Sequence, residues 1–170
     1  MTLLGKAMFK MNKKIPLSFR AFLFVCTFLS WITGIIFFVL DRFVIIEGEF
    51  GPVKHPLQYP TLQVHGGSAF IMMISFGALL SSHVPSGWKT KLHRRSGIAL
   101  VSSQIFLVTS AYILYYGSGL LRDFAKYSHF VVGFFFPFII ALHVYSSIKI
   151  KKSKVKRTVL DNKKAYNTAT

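Results

Sequence analysis

The sequence predicts an all-α fold: an integral membrane four-helix bundle with both termini in the cytoplasm. Of its 170 residues, 52% are hydrophobic and 18 are Phe, which is more apolar surface than one small soluble core can bury. The apolar residues form four long blocks without Asp, Glu, Lys or Arg, each about the twenty residues that a bilayer core requires. The predicted spans cover about residues 21–40, 62–84, 97–117 and 127–148.

The net charge of +16 is distributed as membrane topology requires. Lys and Arg collect in the N-terminal arm (1–20), in the loop between the second and third spans, and in the C-terminal tail (149–170). With four crossings these segments share one side, and an excess of basic residues marks the cytoplasmic side. We therefore expect a lipid bilayer environment, with the basic tail meeting anionic lipid, and no nucleic-acid partner.

The first span reads as a permanent anchor helix. Its apolar run is too long for a signal-peptide core, and Asp41-Arg42-Phe43 follows it without a small-residue cleavage site. It carries no histidine and is predicted to serve packing. The single cysteine, Cys26, lies within it, which excludes a disulfide framework, a c-type haem attachment and an iron–sulfur cluster held by this chain alone.

The connections are predicted as follows. Residues 41–60 form an outer loop in which glycines and prolines break any regular element, and the second span ends at Pro85-Ser86-Gly87. Short loops at about 87–97 and 117–126 make the later helices antiparallel neighbours. Pro137 is expected to kink the fourth helix between its histidines.

Four histidines lie inside two of the spans, His65 and His83 in the second and His129 and His143 in the fourth. Eighteen residues make five whole helical turns and fourteen residues fall about 40° short of four, so each pair shares one face of its helix. Ionisable residues in membrane helices are costly and indicate function. We expect His65 to face His129 near the outer surface, and His83 to face His143 near the inner one.

Facing histidines on two helices predict low-spin haem b, whose iron needs an imidazole on each axial side and small residues around the ring. Two haems are expected. Gly66, Gly67, Gly77 and Gly133 are expected to provide the room. Basic residues flank the spans where haem propionates would emerge, and propionate contact and ordinary topology-setting charge are equal alternatives for them. They are Arg94, Arg95, Arg122 and Lys126.

Two histidines lie outside the spans. His93 is interpreted as a surface residue of the basic loop. The alternative is that it replaces an inner ligand, because the two histidines of the second helix are about 27 Å apart along its axis and those of the fourth only about 21 Å. His55 lies in the outer loop, where a solvated and a proton-handling role are both open.

A set of residues within 55–148 resembles the small four-helix bacterial membrane proteins related to cytochrome b561 and to the b-type subunits of formate dehydrogenase and nickel hydrogenase. The set comprises His65-Gly66, His83, Gly87-Trp88, Arg95-Ser96-Gly97, Leu114-Tyr115-Tyr116, Arg122, His129, Gly133, Pro137 and His143. The resemblance implies haem ligation by His65, His83, His129 and His143, and electron transfer between quinone and a partner protein in the bacterial inner membrane. The 18-residue interval is longer than is usual in these relatives.

The expected function is transmembrane electron transfer by a subunit of an oxidoreductase rather than by a stand-alone catalyst. The chain has no G-x-G-x-x-G after a strand, no P-loop and no soluble domain for flavin or nicotinamide. Tyr112, Tyr115 and Asp123 are candidates for a quinone site by position only. The alternatives are a transport or proton-handling protein and an assembly subunit whose histidines do not bind haem.

Overall fold

The computed structural model describes residues 15–90 and 94–169. Within them it contains four helices and one β-hairpin between the first two helices. The elements are α1 (Leu17–Phe43), β1 (Ile45–Gly48), β2 (Gly51–Lys54), α2 (Gln58–Thr90), α3 (Arg94–Tyr116) and α4 (Gly119–Ala169). Most of the predicted N-terminal arm and His93 lie outside the described residues.

Contacts at two levels of each helix pair give the helix directions. Thr27 of α1 bonds to Met72 and Ser30 to His65, so α1 and α2 are antiparallel. Trp31 Nε1 donates to the Phe134 carbonyl at 3.1 Å and Asp41 accepts from Lys126, so α1 and α4 are antiparallel as well. Together with the α3–α4 contacts described below, these give an up-down-up-down bundle in which α2 and α4 run in the same direction. We call the end that carries the β-hairpin the hairpin end, and the end that carries Arg20, Arg94 and Arg95 the basic end.

Burial in the bundle is inverted relative to a water-soluble protein. Large apolar side chains such as Phe28, Phe70 and Phe138 are exposed, whereas hydroxyl and amide side chains point inward. The buried polar residues are Thr27, Ser30, Thr33, Ser68, Ser75, Gln104 and Ser110. Small polar residues between helices and apolar ones outside are typical of membrane bundles. The prediction of four apolar helices is confirmed, since all four are long and apolar enough to cross a bilayer.

The prediction of an irregular loop at 41–60 was wrong, because residues Ile45–Gly48 and Gly51–Lys54 pair as an antiparallel hairpin. The turn works because Gly51 takes a positive φ of 115°, which glycine tolerates. Pro52 lies opposite Glu47, next to the pair Gly48 and Gly51 that closes the two-residue turn. In an antiparallel ladder this second pair is not hydrogen-bonded, so the missing N–H of proline costs no bond there.

Both ends of α2 and of α4 also differ from the prediction. α2 does not end at residues 85–87 but continues through Pro85 to Thr90. It begins at Gln58, so Pro60 lies in the first turn, where the backbone N–H has no helical partner to lose. α4 begins at Gly119 and continues through Pro137 and the predicted tail to Ala169. In a bilayer a helix keeps its other hydrogen bonds across a proline because lipid offers no substitute for them.

Candidate functional site

The histidines of α2 and α4 face each other in two pairs. At the hairpin end the ring centroids of His65 and His129 are 6.3 Å apart, with an angle of 77° between the ring planes. At the basic end those of His83 and His143 are 6.4 Å apart, at 80°. The structure thus brings together the residues that the 18- and 14-residue spacings align. The 6 Å difference in length, about 27 Å against about 21 Å, does not prevent either pair from forming.

The ring of His65 is held by α1. Its Nδ1 lies 2.8 Å from the Ser30 carbonyl oxygen, and a carbonyl only accepts, so Nδ1 donates. The ring packs against Gly34, where a Cβ atom would lie 3.0 Å from His65 Cε1. Sequence reasoning assigned α1 to packing and missed this role. The available signal was Ser30 and Gly34, two small residues one turn apart on the same face of the helix.

The ring of His129 is held by α3. Its Nδ1 lies 2.8 Å from Ser110 Oγ, and Ser110 Oγ donates to the Phe106 carbonyl oxygen at 2.7 Å. A hydroxyl has one hydrogen, so while Ser110 donates to Phe106 it accepts from His129, and the tautomer that fits both bonds has the proton on His129 Nδ1. In both rings of the hairpin-end pair, Nε2 is therefore the nitrogen with the free lone pair.

The basic-end pair follows the same pattern on one side. His143 Nδ1 lies 2.9 Å from Ser96 Oγ, again from α3. Ser96 and Ser110 are 14 residues apart, as are His129 and His143, so two antiparallel helices match each histidine with one serine. His83 is more exposed, and within the described residues no hydrogen bond to its ring is seen. This match was visible in the sequence and was missed.

The centroid separation of each histidine pair can be compared with that of two imidazoles bound to opposite sides of one metal ion. A metal–imidazole bond is about 2.0–2.1 Å and a ring nitrogen lies about 1.2 Å from the ring centre, so two imidazoles on opposite sides of one metal have centroids about 6.4 Å apart. At 6.3 Å the nitrogens of His65 and His129 cannot approach closer than about 4 Å, which is too far for a hydrogen bond between them. A centroid separation of this size is compatible with one metal ion between the two imidazoles and equally with ordinary edge-to-face packing of two rings.

The described residues supply too few ligands for a bare metal ion at either pair. Among residues 15–90 and 94–169, no group of three or more His, Cys, Asp and Glu side chains could hold a metal. Two axial imidazoles without further protein ligands suit a metal whose equatorial positions are filled by a planar macrocycle.

The four basic residues predicted beside the haem propionates lie at the two ends of the bundle. Arg94 Nη2 donates to the Trp88 carbonyl at 2.8 Å and Arg122 Nε to the Leu114 carbonyl at 3.1 Å. Lys126 Nζ pairs with Asp41 at 2.6 Å. Arg95 lines a cavity considered below. Each retains donor groups beyond these bonds, and their contact with propionates stays a prediction.

The predicted small residues have different surroundings. A Cβ at Gly66 would lie 3.6 Å from the Tyr115 hydroxyl, and one at Gly133 would lie 3.7 Å from Leu107 Cδ2. Gly67 and Gly77 have nothing within 4 Å of that position, and Gly77 is exposed. His55 has a local role, since its Nδ1 accepts from the Leu57 N–H at 3.1 Å at the start of α2.

A cavity of about 310 Å³ opens between α2 and α3 at the hairpin end, beside the residue that follows His65. Its polar groups come from Tyr59, Gln63 and Tyr115, and its floor is Gly66 and Gly67. Of the residues proposed for a quinone site by position, Tyr115 lines this cavity. Tyr112 instead packs against Tyr116, with ring centroids 4.7 Å apart and ring planes tilted by 42°, and Asp123 is exposed.

Comparison of the chain with family models, with curated proteins and with solved structures found no match. Its function is therefore inferred from the geometry of the two histidine pairs.

Proposed function

We propose that the protein is a di-haem b-type cytochrome of the bacterial inner membrane that carries electrons from one side of the bilayer to the other. The observation that carries the proposal is the separation of the two ring pairs, 6.3 and 6.4 Å, which is the value for two imidazoles on one metal. His65 and His129 would hold the haem at the hairpin end, and His83 and His143 the haem at the basic end.

If haem is bound, the four histidines would hold it, and it would supply one-electron transfer in which no bond to a substrate is made or broken. The chain's own contribution is to fix the imidazoles. Ser30, Ser110 and Ser96 bond to three of the four Nδ1 atoms, which sets ring orientation and makes the ligands more basic. Along α4 the two pairs are about 21 Å apart, one near each end of the apolar segment.

The electron donor or acceptor at the hairpin end is proposed to be a quinone from the membrane pool, exchanging electrons with a redox partner protein through this subunit. The cavity between α2 and α3 supports this assignment because it opens beside His65 and offers phenol and amide groups to quinone carbonyls. A planar ring can approach closely over Gly66 and Gly67. Tyr59 and Gln63 join Tyr115 as residues of this proposed site.

The absorption spectrum of the purified protein tests the proposal. From haem-replete cells we expect a red protein with a Soret band and, after dithionite reduction, a sharp b-type alpha band, with the haem removed by acid acetone. His65→Ala and His129→Ala should each remove the same haem, and His83→Ala and His143→Ala the other, so that haem per protein falls by about half. His55→Ala, whose ring bonds only the start of α2, is the matched control.

The outcomes are distinct. A colourless wild-type protein contradicts haem binding and favours a transport or assembly role. If His93→Ala removes the basic-end haem and His83→Ala does not, the ligand on α2 has been misassigned. If all four substitutions retain full haem, the electron-transfer proposal fails.

Labelling tests the proposed sidedness, in which the basic end is cytoplasmic. In a protein whose buried Cys26 is replaced by Ser, a cysteine at Glu49 in the hairpin turn should react with an impermeant maleimide in intact spheroplasts. A cysteine at Ser153, beyond the apolar part of α4, should react only after lysis. The reverse pattern overturns the assignment.

A further inference from the structure

A second cavity lies at the basic end, between the start of α3 and the surface of α4. It has a volume of about 620 Å³. Two arginines line it, Arg94 and Arg95, together with three hydroxyl-bearing residues and two aliphatic ones, which are Ser96, Tyr145, Ser146, Leu142 and Ile150. Leu142 is 66% exposed and belongs to the apolar outer surface of the bundle, so the cavity is continuous with the region where lipid chains would pack.

The positive charge in this cavity has no acidic partner in the part of the chain that the structure describes. Both ion pairs found there are at the hairpin end, on Asp41. Arg94 is fixed by two bonds to the Trp88 carbonyl and lies 5.5 Å from the centre of the Trp88 ring. Arg95 is exposed. Among the described residues, its side chain makes no hydrogen bond or ion pair. The site therefore presents one fixed and one available guanidinium.

This combination selects an anion with an apolar part. Arginine binds phosphate through paired N–H groups, with hydroxyls as additional donors. Basic pockets between membrane helices bind anionic lipid headgroups. A free phosphate ion would leave Leu142 and Ile150 unused, whereas an acyl chain would cover them. We propose that this cavity binds an anionic phospholipid, with its phosphate on Arg95 and Arg94 and an acyl chain along Leu142 and Ile150.

The cavity also touches the basic-end histidine pair. Ser96 lines it and bonds to His143 Nδ1 at 2.9 Å. If haem is bound there, a consequence that rests on the proposed function, a phosphate charge at this position stabilises the oxidised state and lowers the reduction potential of the basic-end haem. Lipid binding itself does not depend on haem.

Native mass spectrometry of the detergent-solubilised, delipidated protein tests the binding. With added phosphatidylglycerol we expect one retained lipid on the wild type, and none with phosphatidylcholine at the same concentration. Arg95→Gln should weaken phosphatidylglycerol binding about tenfold, the loss of one charge-assisted contact. Arg20→Gln removes an exposed arginine of α1 that also lies at the basic end of the bundle, and it should leave phosphatidylglycerol binding unchanged. Leu142→Trp, on an exposed position that can accept a larger side chain, should weaken it as well.

Each contrary result overturns the proposal in a different way. Equal retention of phosphatidylcholine means that the cavity holds lipid without reading its charge. Displacement of phosphatidylglycerol by inorganic phosphate at similar concentration means that the site takes a free anion. If Arg95→Gln and Arg20→Gln bind phosphatidylglycerol equally well, the lipid binds elsewhere. If Arg95→Gln does not fold, unchanged binding by Leu142→Trp leads to the same conclusion. These readouts are unaffected if the protein proves to contain no haem.

Discussion

The hydroxyl of Ser110 decides which nitrogen of His129 is available for a ligand. It gives its hydrogen to the Phe106 carbonyl and takes one from His129 Nδ1, so Nε2 keeps its lone pair. The Ser30 carbonyl does the same for His65. Two imidazoles that both present lone pairs cannot bond each other. The metal proposed above would accept both lone pairs, as would a bridging hydrogen-bond donor.

Ser110→Ala should raise the reduction potential of the hairpin-end haem while leaving its haem content largely intact. Without the Ser110 hydroxyl, His129 loses one hydrogen-bond partner and becomes a weaker electron donor, while the backbone bond to Leu107 remains, so the cost to stability should be about 1 kcal/mol. A redox titration of the alpha band should show one wave moving and the other fixed. Ser102→Ala, at an exposed serine of the same helix, should move neither. Two unshifted waves in Ser110→Ala would show that the serine does not tune His129.

Gly34 is predicted to be required for the position of His65. In Gly34→Ala the added Cβ would lie 3.0 Å from His65 Cε1, so the ring must shift, and Gly34→Val should displace it further. We expect partial loss of the hairpin-end haem in the first variant and complete loss in the second, measured as haem per protein.

The control for this prediction is Gly77→Ala on α2, where an added Cβ meets nothing within 4 Å. Both alanine variants gain about 1 kcal/mol of helix propensity, so a general loss of folding is not expected in either. Full haem content in Gly34→Val would mean that the His65 ring has room that the structure does not show.

At the scale of elements, the helices without histidine position the helices that carry them. α1 holds α2 through Ser30 and Gly34, and α3 holds α4 through Ser96 and Ser110. At the hairpin end, Asp41 joins three elements to the end of α1. It pairs with Lys54 of β2 and Lys126 of α4, and accepts from Gln58 of α2 at 3.0 Å.

Asp41→Asn should lower the thermal stability of the detergent-solubilised protein. The Asp41 side chain is 13% exposed, and charge-assisted bonds at such a site are worth about 1–3 kcal/mol together after screening. We expect a transition several degrees lower by circular dichroism, with haem content preserved. Asp123→Asn, at an exposed carboxylate, should leave the transition unchanged, and equal shifts in the two variants would contradict a specific role for Asp41.

Some elements of this fold can be predicted from the local sequence and others cannot. The four apolar helices follow from bilayer thickness, and the histidine pairs follow from helical periodicity, so both could be predicted. The hairpin could not, because Gly51 and Pro52 read as breakers until their place in the ladder is known. The serine anchors were missed because many serines in these spans bond their own helix, as Ser75 does with Ile71, although the 14-residue interval that Ser96 and Ser110 share with His129 and His143 was a usable signal.

At the scale of the whole molecule, the bundle places two similar sites in series. α2 and α4 run in the same direction, so each contributes one histidine at the hairpin end and one at the basic end. The two pairs are about 21 Å apart along α4, and the surface between them is apolar. An electron that crosses the apolar layer would use both sites in turn, so loss of either should stop the transfer.

Liposomes that contain the purified protein and trapped ferricyanide test this series arrangement. With ascorbate outside, and valinomycin with potassium to prevent a limiting membrane potential, wild-type protein should bleach the internal ferricyanide. His65→Ala and His143→Ala, which each remove a different site, should both reduce the rate to that of protein-free liposomes, whereas His55→Ala should match the wild type. Either single variant retaining the wild-type rate would show that the two pairs do not act in series. His65→Ala and His143→Ala should each keep the alpha band of the remaining haem. A lower rate of ferricyanide reduction then reflects interrupted electron transfer rather than an unfolded protein.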